Sequence, residues 1–202
     1  KVLAGVADRV FTAFPDVLKK AQWVGNPLRS AFTRQAAPSE RFAGRTGPLR
    51  LLVAGGSLGA QALNDIVPRA LALIPAADRP LVTHQSGATQ IDALRANYQA
   101  AGVQAELTPF IDDTASAFAA ADIIVCRAGA STVTEIAAVG AAAVFVPFPF
   151  AVDDHQTTNA RFLVNAGGGW LVQQSDLTPE GLAKMLLNSE RTALVDIAEK
   201  AK

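Results

Sequence analysis

The chain has 202 residues, half of them apolar, with a formal net charge of zero, which suits one large domain, or one domain plus pieces of another, around a substantial core. The neutral balance and the lack of a basic run give no electrostatic footing for nucleic acid, and a single cysteine excludes a disulfide framework and points to a reducing compartment. No apolar run reaches the ~18 residues that span a bilayer, and no signal peptide is visible.

The sequence opens at Lys1, without methionine, directly into helix-then-strand character, and it stops within a helical pattern. Both ends are expected to be cut, leaving an excised domain of a longer protein. Short apolar runs at 10–13, 22–25, 49–54, 81–84, 105–108, 122–126, 142–146 and 170–173 read as strands. Helical patterns fall at 59–74, 89–101, 113–120, 131–139, 155–165 and 179–200. The polar, turn-rich stretch 38–48 reads as a loop or short helix before the first strand of the main domain. Strands alternating with helices at this spacing predict an α/β fold with a Rossmann-like parallel sheet and helices on both faces. Strands that are apolar on both sides agree with a covered parallel sheet. Ligands of such sheets bind beyond the carboxyl ends of the strands, so the strand-end loops carry the functional reading.

The first of these loops is Gly55-Gly56-Ser57-Leu58-Gly59, between a strand and a helix. Glycines let backbone amides approach an anion, and a helix start adds positive partial charge. The loop reads as a phosphate or diphosphate cradle with Ser57 as an added donor, or as a tight turn and nothing more. It is not a P-loop, because no lysine follows. A dinucleotide fingerprint would be incomplete, with Ala54 in its first glycine position. The ribose-binding acid that should end the next strand is also missing: that strand ends in His84-Gln85-Ser86, and Asp78 precedes it.

The second loop runs from Gly129 into a helix. Val133, Ile136, Ala137 and Gly140 follow helical spacing and should pack on the sheet. Ser131, Thr132 and Glu135 then face the other way, beside first-turn amides that lack internal partners. Glu135 is a good bidentate acceptor for the two vicinal hydroxyls of a ribose, or it simply complements the helix dipole. In the third loop, Pro147 and Pro149 force a rigid exit from a strand. Asp153 or Asp154 can cap the helix that follows, and Gln156, with a donor and an acceptor, suits sugar hydroxyls. Apart from His155, no third ligand at helical spacing joins the acidic pair Asp153 and Asp154, so no metal site is expected. In the fourth loop, Phe110 and Ile111 after Pro109 can sandwich a flat base or serve as plain core. His84 reads as a strand-end structural histidine, and Cys126 as packing rather than a nucleophile.

Taken together these loops resemble the C-terminal half of the MurG-type glycosyltransferases. The matching pieces, in family order, are VGNPLR (24–29), GGSLGAQALN (55–64), HQSG (84–87) and PFIDD (109–113), then CRAGASTVTEIAAVGAAAVFVPFP (126–149) and DDHQTTNA (153–160). The resemblance covers nearly the whole chain. It implies two Rossmann-like domains in the GT-B arrangement, with the UDP-sugar held mainly by the second. Residues 1–27 would be the remnant of the first domain and linker, and 28–202 the donor-binding domain.

Carried over, Arg29 and Ser57 would contact the diphosphate, and backbone groups of Ile111 would hold uracil. Ala130, Ser131, Thr132, Val133 and Thr134 would supply phosphate contacts, Glu135 would take the ribose hydroxyls, and Gln156 would read the N-acetylglucosamine (GlcNAc) hydroxyls. Many members carry Gln-Gln where this chain has His155-Gln156, and His155 would orient Gln156. The implied activity is inverting transfer of GlcNAc from UDP-GlcNAc to lipid I (undecaprenyl-diphospho-MurNAc-pentapeptide), giving lipid II in peptidoglycan synthesis, with no cofactor or metal. Its acceptor contacts and catalytic base would lie in the absent domain, so this chain is expected to bind donor without transferring alone. The resemblance further implies a peripheral protein on the cytoplasmic face of the bacterial inner membrane, with no nucleic acid partner. Rival readings are an NAD-dependent oxidoreductase domain, a non-catalytic nucleotide-binding module, and a UDP-GlcNAc 2-epimerase. The last would need catalytic carboxylates and histidines that have no evident place here.

Overall fold

A computed structural model describes residues 6–15, 18–56, 59–151 and 154–202. Two short strands, β1 (Phe11–Thr12) and β2 (Gln22–Trp23), pair in parallel by themselves. Two short helices follow, α1 (Ser30–Thr33) and α2 (Pro38–Phe42). The main body then alternates: β3 (Arg50–Ala54), α3 (Gln61–Ala72), β4 (Leu81–Gln85), α4 (Ile91–Ala101), β5 (Glu106–Thr108), α5 (Thr114–Ala120) and β6 (Ile123–Cys126). It continues with α6 (Ala130–Val139), β7 (Ala143–Phe145), α7 (His155–Val164), β8 (Gly169–Leu171), α8 (Pro179–Leu187) and α9 (Arg191–Ala201).

Six strands form one parallel sheet in the order β5-β4-β3-β6-β7-β8. Successive residues of a strand point to opposite faces, and here both faces are apolar. Leu51, Val53, Ile123, Val125 and Val144 enter one core with α3, α4, α8 and α9. Leu52, Ile124, Cys126, Ala143 and Phe145 enter the other with α1, α5, α6 and α7. The Rossmann-like parallel sheet expected from the sequence is therefore present. The chain reverses direction across the sheet between β3 and β6, and a doubly wound sheet opens its ligand crevice at that switch, beyond the strands' carboxyl ends.

Three expectations need correction. The runs at 10–13 and 22–25 shrink to two-residue strands outside the main sheet. They rest on α7, where Phe162 meets Phe14 at 5.3 Å and Trp23 at 6.1 Å between ring centroids. The single helix expected over 179–200 is two helices. It breaks at Asn188 and Ser189, residue types whose side chains compete with the backbone ladder, and the Ser189 hydroxyl donates to the Met185 carbonyl at 2.9 Å. The break lets Arg191 turn to the start of β6, where it meets Asp122. Asp122, read as the first residue of a strand, is instead a buried ionic hub. Its carboxylate accepts from Arg45 Nη1 at 2.7 Å, the Arg50 amide at 2.9 Å and Arg191 Nη2 at 3.1 Å. It thereby ties the loop after α2, β3 and α9 to the amino end of the sheet.

Candidate functional site

Two helix starts face the switch point. The turn after β3 uses Gly56 at φ +82° and Gly59 at φ +75°, a backbone region that a side chain strains. The Gly59 amide donates to the Gly56 carbonyl at 2.9 Å, and α3 follows with no side-chain cap and no acid in its first turn. The turn after β6 leads through Gly129 into α6, also uncapped by a side chain and without a first-turn acid. Gly129, Ala130, Ser131 and Thr132 hold the four positions whose amides an α-helix does not use internally. The two starts therefore present positive partial charge to the same opening.

Between them lies a cleft of about 190 Å³, lined among others by Arg29, Gly56, Gln85, Ile111, Thr132 and Glu135. A larger cavity of about 570 Å³ runs along the amino ends of β3 and β4 and beside β5. It holds none of the residues singled out from sequence, and it sits at the wrong end of the sheet for the expected ligand.

The structure brings four of the expected residues, Arg29, Ile111, Thr132 and Glu135, into one wall. Ser131 is exposed and Ala130 half-buried on the same first turn of α6. Val133 and Thr134 stand differently. Val133 is sealed in the core, and its amide already donates to the Gly129 carbonyl at 3.0 Å. The Thr134 hydroxyl donates to the Ala130 carbonyl at 2.8 Å and accepts from Asn26 Nδ2 at 3.1 Å, which ties the 24–27 segment to α6. The buried set on α6 is Val133, Ile136 and Val139; Ala137 is half-buried, and Gly140, just past the helix, is packed against Pro38 and Ala198. Ser57 and Asp153 lie outside the described residues. Asp154 precedes α7 with φ +50°, and its carboxylate takes the Thr157 hydroxyl at 2.6 Å rather than a backbone amide.

Gln156 stands beside the cleft, on the first turn of α7. Its Oε1 accepts from the Ala128 amide at 3.2 Å and the Phe148 amide at 2.9 Å. Two backbone N–H donors can only face the oxygen, so the orientation of this side-chain amide is fixed. Any ligand contact it makes is through Nε2, as a donor.

Arg29 and Glu135 form a long ion pair of 3.9 Å, and Arg29 is 65% exposed while Glu135 is 20% exposed. Arg29 also lies over the Phe32 ring at 5.0 Å. A cation this exposed and this loosely paired can turn to an anion at little cost. Burial raises the Glu135 pKa above the ordinary carboxylate value, and the Arg29 charge partly counters it. Ile111 is half-buried, and its carbonyl accepts from the Thr114 hydroxyl at 3.3 Å. Phe110 beside it is 57% exposed.

Sequence reasoning missed Gln85 and Arg127, which also line the cleft. Arg127 donates to the Val146 and Pro147 carbonyls, both at 3.1 Å, and to Gln174 Oε1 at 2.7 Å, and it lies over the Phe148 ring at 5.5 Å. It thus pins three loops beneath the cleft while adding a positive charge. His84 and Cys126 stand as the structural residues expected of them. His84 is buried and hydrogen-bonded, and burial pulls its pKa down to about 3. Cys126 is buried in the sheet, with its thiol pKa pushed up by desolvation. His155 opens α7. Among the described residues no group of three His, Cys, Asp or Glu side chains is placed to hold a metal ion.

Residues 50–202 match the family model described as the glycosyltransferase family 28 C-terminal domain. Over its full length the chain is 80% identical to a Paracidovorax citrulli protein named UDP-N-acetylglucosamine--N-acetylmuramyl-(pentapeptide) pyrophosphoryl-undecaprenol N-acetylglucosamine transferase. It is 78% identical to a protein of the same name from Polaromonas naphthalenivorans. It covers 57% and 56% of those two proteins, so it spans a little over half the length of the curated relatives it matches. The crystal structure of Acinetobacter baumannii MurG superposes with a TM-score of 0.83 at 40% identity, over 99% of this chain and 57% of that one. The kitacinnamycin glycotransferase, 18% identical with a TM-score of 0.60 over 98% of this chain and 52% of its own, shares the fold.

Proposed function

We infer what the protein does from its family: the chain belongs to the glycosyltransferase family 28 C-terminal domain family. It is the donor-binding half of a GT-B enzyme that moves GlcNAc from UDP-GlcNAc to lipid I, forming lipid II for peptidoglycan. Residues 28–202 form the donor domain, and 1–27 belong to the linker and the preceding domain. The full-length protein works as a peripheral enzyme on the cytoplasmic face of the inner membrane, and among the described residues no helix is long and apolar enough to cross it.

One observation carries this reading: the Glu135 carboxylate, the uncapped start of α6 and the glycine turn before α3 open on a single cleft at the sheet's switch point. The amides at the starts of α3 and α6, with Ser57 and the mobile charge of Arg29, receive the diphosphate. Glu135 takes the ribose 2′- and 3′-hydroxyls, and Ile111 holds uracil through its backbone. As the glycosidic bond breaks through an oxocarbenium-like state, charge builds on departing UDP, and the same fixed dipoles and Arg29 stabilise it. The base that activates the acceptor hydroxyl comes from the rest of the full-length enzyme, so this chain alone binds donor and does not transfer. An NAD site would end its second strand with a ribose-binding acid, whereas β4 ends in Gln85, which donates to the Gly56 carbonyl at 3.3 Å.

Calorimetric titration tests the reading. UDP-GlcNAc should bind saturably and better than UDP-GalNAc or NAD. Glu135→Ala should weaken it about ten- to a hundredfold, the range of a hydrogen bond to a charged group. Stronger binding of NAD would overturn the transferase assignment. Gln156 gives a sharper check. Gln156→Glu keeps an acceptor for the Ala128 and Phe148 amides but removes the Nε2 donor. UDP-GlcNAc affinity should fall about tenfold further than UDP affinity, the scale of one lost hydrogen bond, since UDP bears only the repulsion of the added charge. Equal losses for both ligands would show that Gln156 does not read the sugar.

A further inference from the structure

Behind the glycine turn lies a chain of buried polar side chains that donor contact does not explain. Asn64 on α3 donates both Nδ2 hydrogens, to the Ser86 carbonyl at 3.1 Å and to Gln90 Oε1 at 2.7 Å. Its Oδ1 therefore faces His84 Nε2 at 3.0 Å, which makes Nε2 the protonated nitrogen. His84 Nδ1 is then an acceptor, and Tyr98 of α4 donates to it at 3.0 Å. All three side chains are at most 3% exposed. The chain runs from Tyr98 to the Ser86 carbonyl and fixes the turn after β4.

That turn is pressed against the glycine turn. A Cβ on Gly59 would sit 2.2 Å from the Ser86 carbonyl oxygen and 3.0 Å from Gln90 Nε2. One residue earlier, Gln85 Nε2 donates to the Gly56 carbonyl at 3.3 Å, the same oxygen that receives the Gly59 amide. Both glycines with left-handed backbone are thus located from the β4–α4 side.

We propose that Gln85, backed by the Asn64–His84–Tyr98 chain, is a positioning residue that sets where Gly56 and Gly59 stand and so tunes affinity for the diphosphate of the nucleotide. This rests on the donor-binding reading above. The contribution falls on the phosphates, because Gln85, itself part of the cleft lining beside Ile111 and Glu135, gives its hydrogen bond to the glycine turn.

The test titrates this chain with UDP and with uridine, in the wild type, Gln85→Leu and the milder buried variant Tyr98→Phe, with hydrogen exchange of the Gly56 and Gly59 amides followed alongside. Gln85→Leu should weaken UDP about tenfold, leave uridine within about twofold, and speed Gly59 exchange without changing exchange in β3 or α3. Tyr98→Phe should move both readouts the same way by less. Parallel loss of UDP and uridine, or unchanged Gly59 exchange, would overturn the proposal. Wild-type protein that binds neither ligand would sink the donor-binding reading instead, and the exchange data would still decide whether Gln85 holds the turn.

Discussion

Asp122→Ala should destabilise the chain by about 3–5 kcal/mol, the cost of removing one partner from a buried charge network. The carboxylate is fully buried, and so is most of the Arg45 side chain that bonds it at 2.7 Å. Arg191 reaches it from α9 at 3.1 Å, and the Arg50 amide donates to it at the start of β3. Loss of the carboxylate leaves two guanidinium groups near the amino ends of the central strands without their counter-charge, with backbone carbonyls as their remaining partners, and burial there leaves little water to replace it. Burial pushes the Asp122 pKa up, but the hydrogen bonds from Arg45, Arg50 and Arg191 together outweigh it and hold the pKa below the ordinary carboxylate value. A depressed folded-state pKa stabilises above the unfolded pKa and is lost as pH falls through the folded one. Urea unfolding of wild type and variant checks both points. A variant that unfolds within about 1 kcal/mol of wild type would mean the hub is worth no more than a surface pair. Donor binding should survive, since Asp122 sits at the opposite end of the sheet from the cleft.

Mild acid should cost the protein about 2 kcal/mol between pH 7 and 5 through His84 alone. The sign follows from burial: the folded pKa is about 3 against an ordinary 6.5. The unfolded chain takes up a proton below pH 6.5 that the folded chain refuses. The contribution is complete above 6.5 and falls by roughly 1.4 kcal/mol per pH unit until the folded pKa is reached. The hydrogen bonds to Asn64 and Tyr98 favour the same neutral ring, since a second ring proton would force the Tyr98 hydroxyl to give up its role as donor to Nδ1 and turn its own proton away. His84→Gln should flatten the stability profile over that window by about one proton. An unchanged slope would show that His84 protonates freely in the folded state.

Much of this fold was legible because its signals are local. The apolar runs at 122–126 and 142–146 became β6 and β7 within a residue of their predicted ends, and glycine turns marked the strand exits. Residues of one strand-end loop were also legible: Thr132 and Glu135 share a helix face, and spacing alone puts them there. What escaped was set by distant partners. Asp122 looked like a strand residue because Arg45 and Arg191, its reasons for being there, lie far away in the chain. Gln85 and Arg127 carry no local pattern, since each acts on a loop reached only through the sheet. The 179–200 pattern remained helical on either side of Asn188 and Ser189, so periodicity could not show the break. Val133 was legible as a core residue, and its burial limits it to a backbone role that the helix has already taken.

The position of Cys126 has a practical consequence for labelling. It is the one cysteine in the sequence, wholly inside the sheet, with a thiol that burial holds in its unreactive protonated form. A fluorophore carried by a maleimide therefore has no native target in the folded chain, and a single engineered thiol suffices for site-specific attachment. Phe150, 81% exposed and in ring contact with Phe148 beside the Gln156 loop, offers such a position. A dye placed there through Phe150→Cys would be attached without removal of any native residue from the core.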